Sequence, residues 1–202
     1  MLQKTSRHQW ALLLAVLSLA WCGPVRAQDC VWTGVAQIVA VGDVHGDYGQ
    51  FVKALRAAKV IDESNKWIAG KAHLVQTGDV LDRAPDSRKV MDLLLELEEQ
   101  SLKEGGRVHA LIGNHEAMVL SGDFGYVHPG EYAALGGKEA FVEAFSANGK
   151  YGKWIRGHNA VIKINDVLFV HGGIALSQAN TPLEKINQAI REELQEPEKA
   201  KT

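Results

Sequence analysis

Apolar residues in this chain follow two periods, and the periods alternate. Residues 37–41, 73–76 and 107–112 are short apolar runs rich in β-branched residues, the pattern of strands buried on both faces. Between them the spacing becomes helical. Phe51, Val52, Leu55 and Ala58 share one face of residues 48–58. Val90, Leu93, Leu94, Leu97 and Leu102 stripe a longer helix that Asp86 can cap and Gly105-Gly106 can end. This alternation predicts an α/β fold, a parallel sheet with helices on its faces. Residues 160–164 and 167–170 flank Asn165-Asp166, a pair that tolerates positive φ, which predicts a β-hairpin. Residues 121–152 carry glycines and aromatics, with one short helix expected at 138–147. Thr181-Pro182-Leu183-Glu184 reads as a capping box with proline at the first helical position. Leu183, Ile186, Ile190 and Leu194 stripe the helix it opens.

Four strand ends run into short polar motifs. They are Gly42-Asp43-Val44-His45-Gly46, Gly78-Asp79-Val80-Leu81-Asp82-Arg83, Gly113-Asn114-His115-Glu116 and Val170-His171-Gly172-Gly173. Their Asp, His and Asn side chains are donors that divalent metals accept. Asp43 and His45 lie two apart on an extended segment, so both can reach one ion. Asp79 has two oxygens and can bridge two ions. Asn114 offers a neutral oxygen and His171 a ring nitrogen to the second ion. Arg83 carries a planar fork that suits a phosphate. His115 suits a general acid beside a leaving alkoxide, and Asp82 can hold it protonated. Taken singly, each motif also has a plain reading: a loop, a surface Asp-Arg pair, a helix start capped by Asn114, a buried core histidine. Four in series, all at strand ends, point to one site and to a two-metal phosphoester hydrolase.

On these motifs the chain resembles the calcineurin-like metallophosphoesterases of the phosphoprotein phosphatase group. The first three match the signature boxes of that family. Residues 67–118 and 154–174 look closest to the bacterial Shewanella-like phosphatases, and the resemblance covers residues 38–176. It implies a metallophosphatase-type β-sandwich flanked by helices, holding two divalent metal ions (Mn, Fe or Zn). It implies Asp43, His45 and Asp79 on one ion, and Asp79, Asn114 and His171 on the other. It also implies Arg83 on the phosphate and His115 as general acid paired with Asp82. A metal-bridging water or hydroxide would attack phosphorus in line. Arg156 is a candidate second phosphate contact, and His158 a candidate for approaching the site. His73, His109 and His128 are expected to be structural or exposed. Relatives carry a further metal-binding histidine beyond the His-Gly-Gly motif, and a further phosphate-binding arginine. After His171 this chain has no histidine, and its only later arginine is Arg191. The expectation is a domain over residues 28–202 that is incomplete at its C-terminal side. Its sheet edges would be poorly covered, and three protein ligands would hold the second metal.

The N-terminus departs from the pattern. Lys4, Arg7 and His8 precede an apolar run from Trp10 to Trp21, Gly23-Pro24 break it, and Val25-Arg26-Ala27 ends in a small residue. That layout predicts a signal peptide over residues 1–27 and an exported protein, periplasmic or secreted. The run is short for a bilayer span, so stable membrane insertion is not expected. Cleavage leaves Cys30 as the only thiol, which excludes an internal disulfide. The whole chain carries a formal −2 at pH 7. Loss of Lys4, Arg7 and Arg26 makes the remainder more acidic, which argues against a nucleic-acid partner. The expected partner is a phosphoester substrate, on a phosphoprotein or a small molecule. Two alternatives stand beside it. The same boxes support diadenosine-tetraphosphate hydrolysis, and the absent histidine favours a metal-binding remnant with little activity.

Overall fold

A computed structural model describes residues 29–195, and the expected signal peptide lies outside the described residues. One three-stranded sheet holds β1 (Val31–Trp32), β5 (Val161–Ile164) and β6 (Val167–Val170) in the order β1-β5-β6. The other holds β2 (Ile38–Val41), β3 (His73–Gln76) and β4 (Arg107–Ala110), all parallel, in the order β2-β3-β4. Ala40, Val75 and His109 are in register, as are Val39, Leu74 and Val108. Side chains alternate along a strand, so these two rows face opposite ways. Val75 and the nearby Leu111 pack with Cys30, Ile162 and Ile164 between the two sheets. Leu74 and Val108 pack instead against Phe51 and Leu55 of α1 (Tyr48–Ala57) and Val90, Leu94 and Leu97 of α2 (Ser87–Lys103). Burial of a leucine such as Leu94 contributes about 1.5–3 kcal/mol. The result is the expected α/β architecture, a β-sandwich flanked by helices.

The expected strands and the long helices are present, with only their ends shifted. Asn165 takes φ +54° in the β5–β6 turn. Its side chain also bonds the N–H and C=O of Val35, tying the hairpin to the segment after β1. Other expectations change. β1 was not expected, because two residues show no period and its partner β5 is distant in sequence. After α3 (Asn114–Leu120) come α4 (Pro129–Leu135), α5 (Lys138–Phe145) and α6 (Lys150–Arg156), where a single helix was expected. Glycine breaks at Gly136 and Gly149 keep these helices too short for a clear stripe. Asp86 stands at the start of α2 without bonding its amides, and pairs instead with Lys89 at 2.7 Å. Glu131 accepts the Ser87 N–H there. α7 (Leu183–Gln195) begins after Pro182, and the Thr181 hydroxyl donates to Gln178 rather than capping it. Val167 and Leu168, on edge strand β6, are exposed. Among the described residues no helix is long and apolar enough to cross a membrane.

Candidate active site

The four motifs meet just beyond the C-terminal ends of β2, β3, β4 and β6. The chain segments approach closely there. A Cβ on Gly113 would lie 2.3 Å from Asp79 Oδ1, and one on Gly78 would lie 2.7 Å from the Gly113 nitrogen. Among the described residues, seven non-glycines have positive φ, and four belong to these motifs: His45, Asp79, Asp82 and Arg83. A left-handed non-glycine residue costs about 1–2 kcal/mol, so the surroundings must hold these loops in place. Glu116 supplies much of that hold. Its Oε2 accepts the amides of Asp79 (2.7 Å) and Gly113 (2.8 Å), and its Oε1 those of Val80 (2.8 Å) and Leu81 (3.2 Å). One buried carboxylate thereby joins the loops after β3 and β4. Burial pushes its carboxyl above the usual range, and the amides offset part of that rise.

Asp79 Oδ2 stands among three imidazoles. It lies 3.3 Å from His171 Nε2, 3.7 Å from His45 Nε2 and 3.9 Å from His115 Nε2. Asp43 lies 3.8 Å from His45 Nε2 and 3.7 Å from His171 Nδ1. Asn114 Oδ1 is 2.9 Å from His171 Nε2. Ligand atoms of Asp43, Asp79 and His171 fall within 4.8 Å of one another, as do those of His45, Asp79 and His115. Asp79 belongs to both groups. Hydrogen bonding sets the tautomer of His45. His45 Nδ1 donates to the Leu81 carbonyl at 2.9 Å, leaving a buried Nε2 with no hydrogen-bond partner, aimed at two carboxylates. His171 has an oxygen at each nitrogen, the Thr77 carbonyl 3.2 Å from Nδ1 and Asn114 Oδ1 2.9 Å from Nε2, and its Nε2 also faces Asp79. Lone pairs converging in this way are reconciled by a cation among them. The residues present fit divalent metal ions.

His115 and Asp82 form the second feature. Both are buried, and His115 Nδ1 donates to Asp82 Oδ2 at 2.7 Å. His115 Nε2 then accepts from Arg83 Nη2 at 3.3 Å. Burial raises the Asp82 carboxyl above its ordinary pKa, and the His115 contact pulls it part of the way back. Tyr126 stands edge-on to the His115 ring, with centroids 5.3 Å apart.

Other expected residues lie elsewhere. Arg156 is corrected from phosphate contact to core brace. Its buried guanidinium donates to the carbonyls of Leu194, Phe145, Ser146 and Leu120. His158 does not approach the site either, pairing with Glu98 at 3.4 Å beside Trp154. His73 and His109 are structural, joined at 3.0 Å next to Trp32, and His128 caps α4. Sequence reasoning gave Glu116 and Tyr126 no role. The signal for Glu116 was its place three residues after Gly113, where a glutamate reaches back to the helix start. Tyr126 left no local signal.

A helix-flanked β-sandwich gathering carboxylates, imidazoles and an amide at its strand ends defines a metallophosphatase-type protein. Residues 36–200 match the calcineurin-like phosphoesterase family, and the chain belongs to it. It is 34% identical over 166 residues to Shewanella-like protein phosphatase 1 of Plasmodium berghei, covering 79% of this chain and 44% of that protein. It is 28% identical over 198 residues to Shewanella-like protein phosphatase 2 of Arabidopsis thaliana, covering 77% and 51%. The solved structure of a cold-active protein-tyrosine phosphatase from a psychrophilic Shewanella aligns with TM-score 0.79 and 34% identity, covering 87% of this chain and 54% of that one. The chain therefore spans about half the length of these relatives. Membership of the family implies divalent metal ions.

Proposed function

We infer that this chain carries the catalytic core of a metal-dependent phosphomonoesterase acting on phosphoproteins, phosphotyrosine included, or on small phosphate esters. The observation that carries this reading is Asp79 Oδ2 set among three imidazole nitrogens, one of them the unpartnered Nε2 of His45. Asp43, His45 and Asp79 would hold one divalent ion, and Asp79, Asn114 and His171 a second. Bound there, such ions make water acidic and offset charge developing on phosphorus. The chain's own groups do the rest. Arg83 forks the phosphate oxygens. Once Arg83 turns from His115 Nε2, which accepts from it at 3.3 Å, to the phosphate, Nε2 is free to carry a proton and give it to the leaving oxygen, help worth about 10²–10⁴-fold. Asp82 fixes the ring through Nδ1 and stabilises the imidazolium. Relatives named as protein phosphatases support the substrate class.

The expected result is turnover of p-nitrophenyl phosphate and of a phosphotyrosine peptide with Mn²⁺, lost on chelation and restored by metal. Faster cleavage of diadenosine tetraphosphate would overturn the phosphomonoesterase reading. No turnover of any ester with Mn²⁺, Fe²⁺ or Zn²⁺ would mark a metal-binding remnant. The basic start and apolar run further support export, with cleavage after Ala27. Exported material should begin at Gln28, and a full-length cytosolic protein would overturn that proposal.

A further inference from the structure

The segment between α3 and α4 presents one aromatic ring, that of Tyr126, to solvent beside His115. Its other apolar residues are anchored. Phe124 stacks on Phe141 at 5.7 Å, Tyr132 of α4 stacks on the same ring at 5.1 Å, and Val127 packs on the core. Tyr126, between these anchors, is 57% exposed. Its ring contributes little to the core. It stands instead against His115 at an interplanar angle of 71°. The main-chain N–H of Arg83 donates to the Tyr126 carbonyl at 3.0 Å. The main chains that carry Arg83 and Tyr126 are thus joined.

The reaction geometry gives that ring a task. Asp82 occupies His115 Nδ1, so Nε2 must face the leaving oxygen. The substituent on that oxygen is then held beside the imidazole, whose centroid lies 5.3 Å from that of Tyr126. An aromatic substituent can meet the tyrosine edge-to-face or offset-stacked, while a short alkyl group offers little contact area. We propose that Tyr126 forms an aryl subsite that selects aryl over alkyl phosphate esters. The proposal rests on the phosphoester reading above.

Turnover alone would confuse this subsite with leaving-group chemistry, because aryl oxides leave more easily than alkoxides. Binding of non-hydrolysable phosphonates separates the two effects. Titration calorimetry on the Mn²⁺-loaded chain should show phenylphosphonate bound more tightly than methylphosphonate. Tyr126→Ala should lower the ratio of the two affinities by about 3- to 10-fold, the size of one aromatic pair. Tyr126→Phe should keep the ratio. An unchanged ratio in Tyr126→Ala, or no preference in the wild-type chain, would overturn the aryl subsite while leaving the phosphoester site standing. Binding of neither phosphonate to the wild-type chain would overturn both.

Discussion

Glu116 Oε2 accepts the main-chain N–H of Asp79 at 2.7 Å, so one buried carboxylate sets where another, Asp79, stands. The same carboxylate also holds Gly113, Val80 and Leu81. In Glu116→Gln the amide NH₂ would turn toward backbone N–H groups, leaving donors unpaired. Mn²⁺ affinity should fall about 10- to 100-fold, and stability by about 1–3 kcal/mol. Calorimetric titration and thermal unfolding read the two effects separately. Wild-type Mn²⁺ binding in a destabilised variant would confine Glu116 to a structural role.

Asp79→Asn removes the one charge common to both ligand groups. Both metal-binding events should weaken, by roughly 10²-fold or more. The fold should persist, because an asparagine oxygen can still accept the His115 N–H that Asp79 Oδ1 accepts at 3.0 Å. Mn²⁺ titration with circular dichroism as the control tests this. Loss of a single event would mean that Asp79 serves one ion only.

His115→Asn should slow hydrolysis of alkyl phosphates far more than that of p-nitrophenyl phosphate, whose leaving group needs little protonation. Asp82→Asn should give a smaller loss with the same dependence on leaving group. A plot of log kcat against leaving-group pKa is the measurement. Parallel lines for wild type and His115→Asn would remove this residue as the acid.

Away from the site, burial drives His109 down to a pKa of about 3, with repulsion from His73 and Arg107 adding to the effect. Burial lowers His73 in the same direction. In the unfolded chain a histidine titrates near 6.5. The unfolded state therefore takes up protons first as pH falls, so stability is full above about pH 6.5 and declines toward pH 3. His109 alone should cost about 2 kcal/mol between pH 7 and pH 5. Denaturant midpoints at the two pH values should show this drop, and His109→Gln should flatten it. Equal midpoints for the wild type would refute the assignment.

Much of the site could be read along the chain because its parts are local. Asp43, Asp79, Asn114 and His171 each follow an apolar strand, whereas strand alternation does not bring Asp43 and His45 together: both lie beyond β2, and the turn at His45 (φ +46°) sets its Nε2 3.8 Å from Asp43. Turn chemistry at Asn165-Asp166 and the stripe through Leu94 and Leu97 were equally self-contained. Arg156 shows where such reading stops. Its position before a strand suggested a phosphate contact, yet α6 turns that end inward, onto carbonyls from three other parts of the fold.

By itself the sequence determined the order of strands and helices and the residue types delivered to the strand ends. Both depend on periodicity and backbone preferences within a few neighbouring residues. Only the tertiary structure decided which side chains meet. It paired Glu116 with the Asp79 loop, Asp82 with His115, and Tyr126 with the same imidazole. These contacts join residues far apart in sequence or turned outward by their loops. Their partners are chosen by the packing of β2, β3, β4 and β6 against one another and their helices, which no local pattern records.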